Sequence, residues 1–182
     1  MTVYTIGHSN VTLEDLIRLL KAHAIQCLVD IRQYPGSRRF PHFARESLMK
    51  ALPKEGIEYH WLVALGGRLH RSLGEQSPNR GLTSPGLRNY ADYMLTPPFE
   101  AAIQQLLSFA AQKRSAIMCA ERLYWRCHRM LVSDFLAARG VEVLHIIDKK
   151  SPQLHKLSKT AVVTDGRLTY PKKEEQGMLF DA

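Results

Sequence analysis

Ser115-Ala116-Ile117-Met118-Cys119-Ala120-Glu121-Arg122-Leu123-Tyr124-Trp125-Arg126-Cys127-His128-Arg129 decides the fold of this chain, because a buried strand ends in it and a helical spacing begins. Residues 115–118 close a short apolar run, and Leu123, Cys127, Leu131 and Phe135 then recur at helical spacing to give a core face. Strand-to-helix handovers at the carboxyl edge of a parallel sheet are where α/β proteins gather functional groups. The spacing predicts a helix over 124–138. Carried back to residue 121, it puts Glu121, Trp125 and His128 at i, i+4 and i+7: a carboxylate, an aromatic plate and an imidazole on one face, with Arg122, Arg126 and Arg129 on the next.

Working outward, residues 3–6 read as a first strand, and Gly7 permits a tight turn into the polar run His8-Ser9-Asn10. Thr12, with Asp15 three residues on, starts a helix in capping-box fashion, and Leu13, Leu16, Ile17 and Leu20 give it an apolar stripe. Residues 27–31 form a second β-rich run, closing on Asp30 and leading to Arg32. A strand, a helix and a strand of these lengths make a βαβ unit, so the two strands are expected to be parallel. Further helices are expected over 43–52, 87–95 and 99–113, further strands over 57–61 and 141–147, and a hairpin at Asp165-Gly166. The alternation predicts an α/β fold of three layers, a mainly parallel sheet with flanking helices. Residues 1–150 read as a single α/β domain and 151–182 as a C-terminal extension with a flexible tail. Within the domain, residues 66–85 lose all periodicity but carry Arg68, His70, Arg71 and Arg80, which suits a substrate-binding loop or lid.

Three short motifs carry a resemblance. Thr5-Ile6-Gly7-His8-Ser9, Asp30 and Arg32 followed by Ser37-Arg38-Arg39-Phe40-Pro41, and Cys119-Ala120-Glu121 with Cys127-His128-Arg129 together resemble the pattern of the DUF488 family of bacterial and archaeal proteins. The resemblance runs from about residue 3 to about residue 147 and brings no activity with it.

The chain has 182 residues, 45% of them hydrophobic, enough for one core without a second domain. It has no apolar run long enough to cross a bilayer and no basic, apolar leader, so no membrane partner is expected and the protein is read as cytoplasmic. Its three cysteines, Cys27, Cys119 and Cys127, lie inside strand or helix patterns and argue against a disulfide framework. A net charge of +8 attracts polyanions, of which nucleic acid is the commonest. The arginines also cluster, as Arg32, Arg38, Arg39 and Arg45, as Arg68, Arg71 and Arg80, and as Arg122, Arg126 and Arg129.

Parallel strands bring their carboxyl ends to one rim, so the residues that leave those ends are the site candidates. Glu121 and Asp30, carboxylates flanked by arginines, are the candidate acid and base, with His8 as a further catalytic candidate. Cys119, near a helix start and arginines, is the candidate nucleophile. Ser9, Arg32, Arg38, Arg39, Trp125, His128 and Arg129 are the substrate-binding candidates, arginines for phosphates and aromatics for bases. The element Cys119-Ala120-Glu121 looks like the C-A-E of zinc nucleoside deaminases, but the chain has no C-x-x-C. Cys119, Cys127 and His128 would meet as ligands only if the helix bent, so no metal and no other cofactor is expected. The absence of G-x-G-x-x-G and P-loop patterns points away from dinucleotides and nucleoside triphosphates.

The tail Gln176-Gly177-Met178-Leu179-Phe180 resembles the Q-x-x-L-F peptides that hook bacterial replication and repair proteins onto the sliding clamp, through Gln176, Leu179 and Phe180. Together these features suggest an enzyme acting on DNA or a nucleic-acid component, by hydrolysis or removal of a modified base. The alternatives are a non-catalytic DNA- or clamp-binding module and a small-molecule enzyme with Cys119 as nucleophile.

Overall fold

The computed structural model describes residues 1–36, 40–68 and 72–172. Its centre is a six-stranded sheet made of β1 (Thr2–Gly7), β2 (Cys27–Asp30), β3 (Glu58–Trp61), β4 (Ser115–Cys119), β5 (Glu142–Ile146) and β6 (Gln153–Leu154), in the order β3-β2-β4-β1-β5-β6. All neighbours are parallel except β5 and β6. The inner strands are apolar on both faces, and their period of two sorts the side chains into two cores. Val3, Val29, Ile117 and Val143 point into one core, while Tyr4, Leu28, Met118 and Ile146 point into the other.

Helices α1 (Leu13–Ala22) and α2 (Arg45–Ala51) cover the second core; α3 (Pro85–Tyr93), α4 (Pro97–Gln112) and α5 (Arg129–Ala137) cover the first. The molecule is therefore the expected three-layer α/β fold. Thr12 caps α1, its hydroxyl accepting the Asp15 amide at 3.1 Å, and Leu16 and Leu20 turn inward. No helix among the described residues is long and apolar enough to cross a membrane.

Strands β1 and β2 are parallel, but β4 lies between them. The chain leaves β1 for α1 on one face and leaves β4 for α5 on the other. Adjacent strands whose connections depart to opposite faces open a crevice at their carboxyl ends, where ligands of open α/β sheets bind.

The helix expected over 124–138 begins only at Arg129, after a single 3-10 turn at Tyr124–Arg126. Tertiary contacts override the local spacing. The Arg129 guanidinium donates to the carbonyls of Glu121 and Arg122, capturing acceptors that an earlier helix would need. Residue 120 is also held by the loop after β1, since the Ser9 amide donates to the Ala120 carbonyl at 2.9 Å.

Residues 151–172 are built into the domain. Beyond β6, strands β7 (Val162–Thr164) and β8 (Arg167–Thr169) form the expected hairpin, and Leu168 and Tyr170 join the first core. The Tyr170 amide donates to Asn79 Oδ1 at 2.9 Å and its hydroxyl to Asp134 Oδ2 at 2.9 Å. Asn79 Nδ2 in turn donates to Asp92 Oδ1 at 2.7 Å, so the middle of the aperiodic segment is pinned rather than free to close as a lid.

Candidate functional site

The crevice at the carboxyl edge is a cleft of about 1150 Å³. Its lining comes from the loop after β1 (His8, Ser9, Asn10), the segment after β2 (Arg32, Gln33, Tyr34), the pair Gly67 and Arg68, the start of α3, and 119–122 with 126–128 after β4. Segments far apart in sequence thus meet at one rim, as the parallel arrangement requires.

Gly7 sets how closely the two central loops approach. A Cβ there would fall inside van der Waals contact of the Glu121 carbonyl oxygen. With only hydrogen in that place the ladder runs on past the strands, the His8 amide donating to the Cys119 carbonyl at 3.0 Å. Ser9 then takes a left-handed backbone (φ 53°) to turn away.

Asp30 does not reach the cleft. It is fully buried, accepting from Arg32 Nε at 2.9 Å, from Arg32 Nη2 at 2.5 Å, from the Arg32 amide at 3.0 Å and from the Tyr59 hydroxyl at 2.7 Å. Its lone pairs are spent on positioning Arg32. Burial alone would pull the Arg32 guanidinium down, but the hydrogen bonds and charge of Asp30 push it up. Burial, and then the Asp30 charge, likewise push up the Tyr59 phenol.

His8 lines the cleft in its neutral form. Burial first, then the Arg32 charge, lower its pKa to about 4, against the raising effect of the Ser9 carbonyl bonded to Nδ1 at 2.8 Å. With Nδ1 donating there, Nε2 is left to accept from Arg32 Nη1 at 3.2 Å, so its lone pair is engaged.

Glu121 is exposed and is the one acidic residue of the described lining. It does not share a helical face with Trp125 and His128, because residues 121–128 are not a continuous helix. One of its oxygens accepts the Leu123 amide at 3.2 Å. Trp125, 46% exposed, lies outside the lining, whereas Tyr34 and Phe40 are in it.

Arg129, read from the sequence as a substrate ligand, is only 1% exposed and serves the 121–122 carbonyls instead. The cationic lining is Arg68, Arg122 and Arg126, exposed side chains with no ion pair among the described residues, together with the Asp30-paired Arg32. Arg38 and Arg39 lie outside the described residues, as do Gln176, Leu179 and Phe180.

Cys119, Cys127 and His128 all line the cleft, with Sγ, Sγ and a ring nitrogen within 4.8 Å of one another. The late start of α5 brings them together where a helix through 124 would have kept them apart. The two thiols interact: Cys127 is pulled down by the hydrogen bond it accepts from Cys119, burial opposing, with the Arg129 charge adding to the pull. Cys119 is pushed up by the same bond and by burial. Cys127 enters the sequence reading only as a ligand that would meet Cys119 and His128 if the helix bent, and Gly67 does not enter it as a site residue. The signal for Gly67 is the doubled Gly66-Gly67, where close backbone approach is at a premium.

A family model described as "Domain of unknown function DUF488" matches residues 12–136, well over half of the chain. The chain belongs to the DUF488 family. All of the cleft lining except His8, Ser9 and Asn10 falls inside the match. Nothing among the curated proteins or the solved structures matches this DUF488 member.

Proposed function

We propose that this DUF488 protein is a cytoplasmic enzyme that hydrolyses a nucleic acid or a nucleic-acid component, removal of a modified base being the most concrete form of the reaction. The observation that carries the reading is the cleft lining: Arg68, Arg122 and Arg126, without an ion pair among the described residues, around a single carboxylate, Glu121, with the 63% exposed ring of Tyr34 at the edge. Arginines neutralise phosphates, an exposed aromatic offers a stacking surface for a displaced base, and Glu121 orients water toward the bond to be broken. Arg32, fixed by Asp30, is a rigid donor at the cleft floor. The tail peptide with Gln176, Leu179 and Phe180 would deliver the enzyme to a sliding clamp.

The test is binding and base release with the full chain on single-stranded and duplex oligonucleotides carrying modified bases. Glu121→Gln is expected to bind but not turn over. Alanine at Arg68, Arg122 and Arg126 together is expected to make the log-log salt dependence of binding shallower, by a slope of about one for each phosphate no longer neutralised. Salt-independent binding, or turnover unchanged in Glu121→Gln, overturns the reading. Binding without turnover on every substrate would instead favour a non-catalytic module, and turnover lost only in Cys119→Ser would favour a cysteine nucleophile, which the cleft position of Cys119 also supports.

A further inference from the structure

The geometry points to a zinc-type divalent metal site formed by Cys119, Cys127 and His128. The three donors come from the end of β4 and from the turn just before α5, and lie within 4.8 Å of one another. Tetrahedral zinc, with bonds of roughly 2.3 Å to sulfur and 2.0–2.1 Å to nitrogen, places a sulfur and a nitrogen ligand about 3.5 Å apart. Cys127 Sγ and His128 Nδ1 stand 3.4 Å apart.

Two independent features prepare the imidazole. His128 Nε2 lies 3.1 Å from the Ile31 carbonyl, which can only accept, so Nε2 carries the proton and the Nδ1 lone pair faces the thiols. An outer hydrogen bond of this kind fixes the tautomer and ring plane of a metal-binding histidine. Gly67 also lies against the ring, and a Cβ there would collide with Nδ1 itself. The missing side chain keeps the ligand nitrogen uncovered.

The donor set favours zinc over the hard cations: two thiolates and an imidazole suit zinc, whereas calcium and magnesium take oxygen. Three protein ligands leave a fourth position, and since all three residues line the cleft, that position opens into it. This is the pattern of catalytic zinc sites, in contrast to structural ones with four protein ligands. The other close group, Cys27, Glu58 and His60, differs, because its carboxylate is already paired with Lys113 and its residues are not part of the cleft. A catalytic role for the metal rests on the hydrolytic reading above; the site itself does not.

The test uses the full chain, reduced and stripped of metal, then titrated with Zn²⁺ and separately with Co²⁺. About one Zn²⁺ per chain by elemental analysis is expected, and the Co²⁺ form should show thiolate-to-cobalt charge transfer with the intense visible bands of tetrahedral coordination. Cys127→Ser and His128→Gln should each weaken binding by more than about tenfold, while Cys27→Ser should leave it unchanged. No stoichiometric uptake by the reduced wild-type chain, or Co²⁺ spectra without a thiolate band, overturns the site without recourse to any variant that fails to fold. Equal loss in Cys27→Ser overturns it as well. Metal uptake with no turnover on any nucleic acid would keep the site and refute the hydrolytic reading; nucleic-acid turnover by a chain that takes up no metal would do the reverse.

Discussion

Replacing Asp30 by asparagine removes one buried charge behind Arg32 and almost nothing else, which makes it a sharp probe of how Arg32 is held. The carboxylate is fully buried and Arg32 is 6% exposed, so water cannot stand in for the lost charge. The amide oxygen, kept in the Oδ1 position, can still accept the Arg32 amide and Nε, but the NH₂ that replaces Oδ2 would face the donor Nη2, now 2.5 Å away, and takes from the Tyr59 hydroxyl its acceptor. Leaving one partner of a buried ion pair uncompensated costs about 3–5 kcal/mol, a large part of the roughly 5–15 kcal/mol that holds a domain folded. At roughly 2–4 °C per kcal/mol for a chain of this size, the midpoint of thermal unfolding should fall by about 6–20 °C. Thermal and urea unfolding, followed by circular dichroism, read the effect directly. Glu121→Gln is the control: exposed and without an ion pair among the described residues, it should stay within about 0.5 kcal/mol of the wild type. A loss below about 1 kcal/mol in Asp30→Asn would be no more than an average substitution and would refute the reasoning, since Arg32 would then have found solvent or another acceptor.

Gly7→Ala should destabilise the protein by about 1–3 kcal/mol, the usual cost of overpacking, because the Glu121 carbonyl it would strike is backbone tied to Arg129; a neutral result in urea unfolding would show the paired loops to be loose. Burial first, then a neighbouring positive charge, holds His8 down to about 4, and burial, His155 and Arg129 hold His145 down to about 3. Both lie below the unfolded value of about 6.5, so the unfolded chain binds more protons between these limits and stability, complete above that value, is lost as the pH falls. At pH 5 each histidine should cost up to about 2 kcal/mol, and a urea midpoint that does not fall between pH 7 and pH 5 would contradict the neutral assignments. Tyr170→Phe takes a buried donor from Asp134 Oδ2 and should cost about 1–3 kcal/mol in urea unfolding; no loss would mean that residue 170 does not anchor the C-terminal extension.

What the sequence disclosed was whatever depends on period and local chemistry. The apolar runs of β1, β2 and β4 and the stripe of α1 pointed to the layers, and the common direction of the strands to the rim where His8, Arg32, Cys119 and Glu121 meet. The insertion of β4 between β1 and β2 was hidden, because parallel pairing over a long connection leaves no local mark. Hidden too was the start of α5, since Leu123 and Cys127 keep helical spacing while Arg129 draws the preceding carbonyls away. Asp30 and Arg129 carry the same charges whether they face a ligand or each serve a buried partner. Only burial separates those roles, and burial is a property of the whole fold. The same applies to residues 151–172, whose polar composition reads as an appendage while Leu168 and Tyr170 complete the core.

The junction of Gly7 with Glu121 has a consequence for how this pocket could diversify. Because neither loop can shift without the other, that part of the lining behaves as a fixed mould. Adaptation to a different guest would have to come from Arg68 and from Ser84 and Leu87, which meet the guest from other elements. Attempts to retarget the protein should begin there, and should leave residue 7 without a side chain.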